Sequence, residues 1–233
     1  MFSVSENREA GSRALSILRD LGAKWLVTRD QKRIMDRMNS DRPYRKALLP
    51  ENAKLVFEGN IFDVYQWEQK LYDGTTATFE KLSRPDTVSV FPVLEDGTIL
   101  LIEDSQPHRE TILTTPSGRV EEGETPEVAA ERELLEETGY RAERLEPLFS
   151  FAPEDKIDWM FYAFVGKNCT KVAEPKPDAG EKIAPKPVSF DELIALAAEK
   201  ILRSGRGHEF AHLALSAKMD AQKMEELKKK FYD

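Results

Sequence analysis

Residues 118 to 140 read GRVEEGETPEVAAERELLEETGY, and eight glutamates fall within seventeen consecutive residues of this segment. The neighbouring residues carry signals for a helix. Thr125 is a favourable N-cap residue, Pro126 suits the first helical position, and Gly139 suits the position just past the end. We therefore predict a loop followed by a helix over Pro126–Thr138.

The glutamates of this helix are not spread evenly around it. On a helical wheel, Glu133, Glu136 and Glu137 fall within an arc of about 100°, and Val128 and Leu135 lie on the opposite side. We expect one anionic face and one buried face. Like charges three and four residues apart repel by a few tenths of a kcal/mol each. Since oxygen ligands select hard cations, the pattern favours a Mg²⁺ platform over an ordinary solvated acidic surface.

The spacing of the whole segment resembles a known motif. Gly118, five residues, Glu124, seven residues and then RELLEETGY from Arg132 to Tyr140 match the Nudix box, Gx5Ex7REUxEExGU, at every fixed position. Such agreement would arise by chance with a probability on the order of 10⁻⁸ per window. Tyr140 replaces the aliphatic residue that is usual at the last position. By this resemblance, the chain is identified as a member of the Nudix hydrolase family.

The resemblance implies hydrolysis of a nucleoside diphosphate linked to another moiety, by a water that Mg²⁺ activates, with Mn²⁺ as the alternative ion. It assigns Glu133 and Glu137 to the main metal ligands. Glu136 corresponds to an additional or shared metal ligand and is also assigned to the catalytic residues. The carbonyl of Ser117 corresponds to a backbone metal ligand. Arg132 corresponds to the orienting arginine, and it lies four residues before Glu136, within reach of an ion pair.

The segment before the box resembles one branch of the family. LIEDSQPHRETILTTPSGRV is similar to the corresponding part of ADP-ribose and nucleoside-diphosphate-sugar pyrophosphatases, with Gln106, Arg109 and Pro116 in register. Thr114 stands where that branch usually has a glutamate, and Pro153 lies thirteen residues after the box instead of about fifteen. ADP-ribose is the leading substrate, and a sugar nucleotide, dinucleoside polyphosphate, NADH or oxidised nucleotide remains the alternative.

Two residues are assigned to substrate binding. Arg109 could hold a phosphate through its bidentate guanidinium, although an exposed arginine on such a loop often faces solvent. Gly118 would permit a loop geometry that a Cβ would obstruct.

The general base is expected on an acidic loop after the core strands, as in relatives of this branch. KPDAGEKIAPKPVSFDEL occupies that place, with Glu181 as the first choice and Asp178 as the second. A solvated loop carboxylate is the alternative for each.

A rival motif lies near the C-terminus. HEFAH, from His208 to His212, matches the zincin pattern HExxH, in which two histidines on one helical face bind Zn²⁺. Glu225 or Glu226 could supply a third ligand of such a metalloprotease. A packing helix is favoured instead, in which Phe210, Leu213 and Leu215 are packing residues. A non-catalytic nucleotide-sensing module is the other alternative, but such a module is expected to lose box glutamates.

Strands are predicted on both sides of the central helix. Segments rich in aromatic and β-branched residues begin near Lys54, with Asp73-Gly74 and Asp96-Gly97 as hairpin turns. LEPLFSFAP and IDWMFYAFVG read as further strands, and the Pro- and Lys-rich residues 167–189 as a long loop.

These elements predict an α/β or α+β fold of Nudix type, with a mixed β-sheet sandwiched between helices. The expected divisions are a helical N-terminal extension over residues 1–52, a Nudix domain over residues 53–202 that includes the N-terminal hairpin strands, and a helical C-terminal extension over residues 203–233. Two helices are expected within residues 5–38, one from Phe190 to about Leu202, and one from about Glu209 to the end.

Composition narrows the partners and the compartment. The chain has 233 residues, 40% of them hydrophobic, and a net charge of −8, which argues against general nucleic-acid binding. No run of 18 apolar residues occurs, so no membrane span is expected. Charges are scattered through the first twenty residues, where a signal peptide needs an apolar stretch, so no signal peptide is expected either and a cytoplasmic location is predicted. The single cysteine, Cys169, is expected to be an ordinary small residue. Packing is favoured for the N-terminal helices, and a homodimer through the N-terminal strands or helices is the alternative.

Overall fold

The computed structural model describes residues 49–199, 201–202 and 209–233. The helices predicted between residues 5 and 38, and His208, lie outside these residues. The strands of the described part are β1 Lys54–Glu58, β2 Asp63–Lys70, β3 Thr76–Ser83, β4 Thr87–Leu94, β5 Ile99–Gln106, β6 Arg109–Thr114, β7 Ser117–Arg119, β8 Tyr140–Arg141, β9 Arg144–Phe151, β10 Ile157–Asp158, β11 Phe161–Lys171 and β12 Lys182–Val188. Its helices are α1 Pro126–Thr138, α2 Phe190–Ala198, α3 Glu209–Met219 and α4 Ala221–Tyr232.

The first sheet is small and has the order β1-β2-β3-β10, with β3 and β10 parallel and the other pairs antiparallel. The predicted Asp73-Gly74 turn joins β2 to β3. Gly74 has φ of +88°, and Asp73 Oδ1 accepts a hydrogen bond from the N–H of Thr75 (3.0 Å). Because glycine has no Cβ, it adopts this left-handed conformation at little cost. The predicted hairpin is confirmed.

The second sheet has eight strands and carries the core. Its main path has the order β12-β5-β4-β11-β8, while β6 pairs with β5, β7 with β4, and β9 with β11. β4 and β11 are parallel, and the other pairs are antiparallel. α1 packs on one face, and α2, α3 and α4 pack on the other. The predicted mixed sheet sandwiched between helices is confirmed.

Each face of this sheet buries its own apolar cluster. The cluster under α1 consists mostly of small side chains: Val88, Val90, Ala129, Ala130, Leu134, Phe164 and Cys169. The cluster under α2, α3 and α4 is larger, and its buried phenyl rings are Phe91, Phe161, Phe190, Phe210 and Phe231. Hydrophobic stabilisation grows with the apolar area that is buried. The second cluster therefore contributes more of the stability.

The prediction of a long loop over residues 167–189 is wrong. β11 continues to Lys171, and β12 passes through Pro185 and Pro187 while it pairs with β5. Proline has no N–H to donate, so strands tolerate it at the edge of a sheet. β12 is the first strand in the order of its sheet, and this edge position explains why it accommodates two prolines.

The helices after β12 are shorter than predicted. α2 ends at Ala198 instead of near Leu202, and Leu202 forms a parallel bridge with Leu113. The C-terminal segment is two helices, because Asp220 interrupts it and caps α4 by accepting a hydrogen bond from the N–H of Gln222 (2.9 Å). None of the described helices combines the length and the apolarity that a membrane crossing requires.

The predicted buried face of α1 is also wrong. Val128 is 51% exposed and Leu135 is only partly buried. The buried residues of the helix are Ala129, Ala130, Leu134, Glu137 and Thr138. Because Ala129 and Ala130 have small side chains, this side of the helix packs closely against the sheet. Glu137 lies on the same side and is therefore buried with them. The acidic face therefore overlaps the buried face instead of opposing it.

Candidate functional site

The ends of α1 are fixed by the residues that predicted them. Thr125 Oγ1 accepts a hydrogen bond from the N–H of Val128 (3.3 Å), and Gly139, with φ of +75°, donates its N–H to the carbonyl of Leu135 (2.8 Å). A Cβ on Gly139 would overlap the carbonyl oxygen of Ala173. Glycine is therefore required there for both conformation and space. The predicted bounds of α1 are confirmed.

Arg132 ties the acidic residues of the segment together. Its Nε and Nη2 bind the two oxygens of Glu124 (2.9 and 3.0 Å). Its Nη1 binds Glu133 Oε1 (2.8 Å) and Glu136 Oε2 (3.1 Å), and Nη2 also binds the carbonyl of Arg119 (2.9 Å). These contacts match the five N–H groups of a guanidinium. The predicted pair of Arg132 with Glu136 is present, and Arg132 holds Glu124 and Glu133 as well.

β7 brings Gly118 against α1. Gly118 lies opposite Val88 of β4, and a Cβ on Gly118 would overlap the carboxylate of Glu133. Glycine therefore leaves the space that this carboxylate occupies. The expected obstruction by a Cβ arises from this close approach, since Gly118 is not among the described glycines with positive φ.

Glu137 is the most buried glutamate of the segment, with 6% of its surface exposed. Its Oε2 accepts a hydrogen bond from the N–H of Ser117 (2.9 Å). Burial raises the pKa of Glu137 to about 9, against the opposing effect of the Ser117 N–H. The negative charges of Glu133, Glu181 and Asp104 raise this pKa further. A cation beside Glu137 would reverse the shift.

Glu133 and Glu136 differ in exposure. Burial raises the pKa of Glu133, the hydrogen bond and charge of Arg132 lower it, and the charges of Glu136 and Glu181 raise it. Glu136 is exposed over 47% of its side chain and is held on one side by Arg132. Of the three glutamates, Glu136 is thus the one most open to solvent.

Glu181 lies immediately before β12 and joins the α1 carboxylates. Its charge raises the pKa values of both Glu133 and Glu137. Burial raises the pKa of Glu181 itself, and the charges of Asp104 and Asp178 act in the same direction. Asp178 is exposed, and its carbonyl accepts the N–H of Glu181 (2.9 Å). The structure thus brings Glu181 into the acidic cluster, while Asp178 stays exposed on the preceding turn.

Arg109 is engaged by a carboxylate that the sequence analysis missed. Its Nη2 forms an ion pair with Asp104 Oδ2, and its Nη1 donates to the Asp104 carbonyl (3.2 Å). Asp104 is 8% exposed, and its Oδ1 has no hydrogen-bond partner among the described residues. A usable signal was present, because Asp104 lies two positions after Ile102 and therefore shares a strand face with the buried residues Leu100 and Ile102.

The cluster suits a hard cation without enclosing one. Within the part of the chain that the structure describes, no three His, Cys, Asp or Glu side chains converge as a complete set of metal ligands. The available donors are oxygens, and Mg²⁺ is usually held by one or two carboxylates with waters and phosphates. The carboxylate of Glu133, which Gly118 allows to lie against β7, and the buried, unpaired Oδ1 of Asp104 are oxygens that suit such a partly hydrated ion.

The HEFAH segment contributes to packing. Phe210 is buried, with its ring centroid 4.4 Å from that of Phe91. His212 is exposed on α3, and His208 lies outside the described residues. Two further residues expected to pack are 38% and 39% exposed: Leu213 and Leu215. The packing interpretation therefore holds for Phe210 and is wrong for these two leucines.

Comparisons with known proteins agree with the fold and the box. A family model described as the NUDIX domain matches residues 83–208. An ADP-ribose pyrophosphatase from Bacillus subtilis (strain 168) is 27% identical over 172 residues, which cover 72% of this chain and 93% of that protein. An ADP-sugar pyrophosphatase from Mus musculus is 31% identical over 191 residues, which cover 76% of this chain and 83% of that protein.

Two further similarities are more limited. A methanol dehydrogenase activator from Bacillus methanolicus is 33% identical over 118 residues, which cover 50% of this chain and 64% of that protein. A solved structure described as an ADP compounds hydrolase has a TM-score of 0.59 and 20% identity, over 76% of this chain and 98% of its own. That likeness supports the fold alone.

The family match spans more than half of the chain, and the mouse relative exceeds 30% identity over most of both proteins. The chain therefore belongs to the Nudix family, as a pyrophosphohydrolase of its ADP-ribose pyrophosphatase-like branch.

Proposed function

We propose that this chain hydrolyses the pyrophosphate bond of ADP-ribose to AMP and ribose 5-phosphate, with Mg²⁺ as its metal ion. The observation that carries the proposal is the contact of β7 with α1, where the N–H of Ser117 binds Glu137, Gly118 leaves room for the Glu133 carboxylate, and Arg132 holds Glu133 and Glu136. Carboxylates that raise one another's pKa values mark a site that favours positive charge. A divalent cation that also binds a diphosphate supplies such charge.

Glu133 and Glu137 would hold the ion, and Glu136 and the carbonyl of Ser117 would add ligands. When bound, the ion would stabilise the negative charge of the diphosphate and the negative charge that develops during hydrolysis. Mn²⁺ is the alternative because it accepts the same oxygen ligands. Arg132 keeps the carboxylates of Glu133 and Glu136 in fixed orientations through its hydrogen bonds.

Glu181 accepts the proton of the attacking water, with Asp178 as the alternative base. The water oxygen forms a new bond to one phosphorus, and the bond from that phosphorus to the bridging oxygen breaks. The bridging oxygen keeps the electron pair and leaves with the second phosphate. Arg109 lowers the pKa of Glu181 by its positive charge, and the same charge favours a substrate phosphate nearby. Gly118, which is assigned to substrate binding, leaves room for the Glu133 carboxylate to lie against β7.

The choice of substrate rests on the names of the relatives. The Bacillus subtilis relative is named for ADP-ribose and the mouse relative for ADP-sugars, and an ADP group joined to a sugar is common to both. ADP-ribose is therefore the first substrate to test, and other ADP-sugars come second.

The test is a substrate panel with the purified full chain. The panel contains ADP-ribose, sugar nucleotides, dinucleoside polyphosphates, NADH and oxidised nucleotides, each with Mg²⁺ and with chromatographic detection of products. We expect the highest kcat/KM for ADP-ribose, equal amounts of AMP and ribose 5-phosphate, loss of activity in EDTA, and recovery when Mg²⁺ or Mn²⁺ is restored.

A matched control comes from the same helix. Glu131→Gln changes an exposed glutamate of α1 and is expected to keep full activity. Faster hydrolysis of another panel member would reassign the substrate, and no hydrolysis of any member would refute the proposed function.

A further inference from the structure

β5 presents two polar side chains, Asp104 and Gln106, to the acidic cluster. They are two positions apart, so their side chains share one face of the strand. β12 pairs with β5 so that Lys182 lies opposite Ser105. The residue before Lys182 is Glu181, and this register brings it beside Gln106.

The amide of Gln106 bridges two carboxylates. Its Nε2 lies 2.9 Å from Glu181 Oε1 and 3.5 Å from Asp104 Oδ2. Ionised carboxylates only accept hydrogen bonds, so the donating nitrogen of the amide must face them. The amide NH₂ group has one hydrogen for each partner. Glu181 is thus joined to the sheet by its side chain as well as by the strand that follows it.

Asp104 is fixed from its other side. Arg109 forms an ion pair with Asp104 Oδ2 and donates a hydrogen bond to the Asp104 carbonyl. The second oxygen, Oδ1, is buried without a hydrogen-bond partner within the described residues. An unpaired buried acceptor reduces stability, so a carboxylate at this position indicates a purpose other than packing.

We infer that Gln106 is a positioning residue for Glu181, and that Asp104 and Arg109 form the fixed support that orients Gln106. The inference rests on the proposed function, because it takes Glu181 as the group that accepts the proton of water. A general base acts only within hydrogen-bond reach of the proton that it removes. Loss of the bridge should reduce the fraction of molecules in which Glu181 has that reach.

The first variant is Gln106→Met, which keeps the length of the side chain and removes its donor. We expect kcat for ADP-ribose to fall about 10- to 100-fold while KM changes less than about threefold, because the base and not substrate binding is affected. Gln106→Ala should give the same result. Thermal unfolding of each variant verifies that it is folded.

Gln66→Met is the matched control. Gln66 also donates from Nε2 to a glutamate across a strand pair, Glu80 Oε2 at 3.2 Å, but it lies in the first sheet. Its loss should leave kcat and KM unchanged. A reduction of kcat equal to that of Gln106→Met would overturn the inference.

A double-mutant cycle separates positioning from general damage. In Glu181→Gln, which has no base to orient, Gln106→Met should cause no further loss of kcat. Equal losses in both backgrounds, or a raised KM with unchanged kcat, would overturn the inference. If both Gln106 variants unfold, Asp104→Asn provides the same cycle, with a loss of kcat expected only when Glu181 is present.

The outcomes separate this inference from the proposed function. A wild-type chain that hydrolyses no panel member refutes the proposed function. A wild-type chain that hydrolyses ADP-ribose, with Glu181→Gln equally active, leaves the proposed function standing and refutes the inference.

Discussion

The two faces of the eight-stranded sheet bury different kinds of side chain. On the α1 face, a cluster of mostly small apolar residues lies beside the carboxylates of the site. On the face covered by α2, α3 and α4, phenyl rings pack against one another, and Phe231 contacts three of them at centroid distances of 5.3 to 6.2 Å. The ring-rich face holds the fold together, and the other face positions charge.

The small residues explain why the charges are on the α1 face. Ala129 and Ala130 lie at the contact between α1 and the sheet and are fully buried. A helix that approaches this closely brings Glu137 to the main chain of Ser117. Each buried carboxylate reduces stability unless it is paired, so the opposite face must supply a surplus of apolar burial.

The largest effect is expected from Glu137→Gln, on the face that positions charge. kcat/KM for ADP-ribose should fall at least about 10³-fold, roughly 4 kcal/mol, because a neutral amide is a poor ligand for a divalent cation. The amide oxygen can still accept the Ser117 N–H, so the fold should persist. Steady-state kinetics with Mg²⁺, beside Glu131→Gln, provide the measurement. Undiminished turnover would contradict the metal role of Glu137.

Phe231→Ala tests the other face. Removal of this fully buried ring should lower the free energy of unfolding by about 3 to 5 kcal/mol, as measured by urea denaturation. The kcat of the folded fraction should change less than about twofold. Leu215→Ala on α3, at a position 39% exposed, is the control and should cost less than about 1 kcal/mol. A large loss of kcat in folded Phe231→Ala would show that the two faces do not act separately.

The smallest effect concerns pH. The folded pKa of Glu137 is about 9 against an ordinary 4.5, so the folded state favours the protonated form. This contribution to stability is fully present below the ordinary pKa and is lost as the pH rises towards 9.

In EDTA, wild type should therefore lose stability relative to Glu137→Gln between about pH 6 and 8, by at most about 1.4 kcal/mol per pH unit. Urea denaturation at several pH values measures this gap. A constant gap would mean that Glu137 is already ionised in the metal-free protein.

Local sequence signals were sufficient to predict where α1 begins and ends, but not which side of it is buried. Thr125 and Gly139 set the ends of the helix through contacts within a few residues, so its bounds were predictable. The buried side depends on what the helix packs against. The helical wheel alone predicted that Val128 is buried, whereas in the structure Ala129 and Ala130 pack against the sheet and Val128 is exposed.

The missed parts depend on pairing between distant segments. The prolines of β12 argue against a strand when the sequence is read alone. They are tolerated because β12 lies at the edge of its sheet, which the sequence did not reveal. Asp104 and Glu181 are far apart in sequence and meet because β12 pairs with β5. The box glutamates were identifiable from their spacing, but the support around Glu181 required the strand order.

The prolines of β12 have a further consequence for association between molecules. An open strand edge invites another chain to add a strand, and proline is one of the residues that block this addition. Pro185 and Pro187 are two positions apart and so face the same way. An incoming strand would meet carbonyl groups there without the N–H donors needed for a regular ladder. The strand that follows Glu181 is thereby protected against edge-to-edge aggregation.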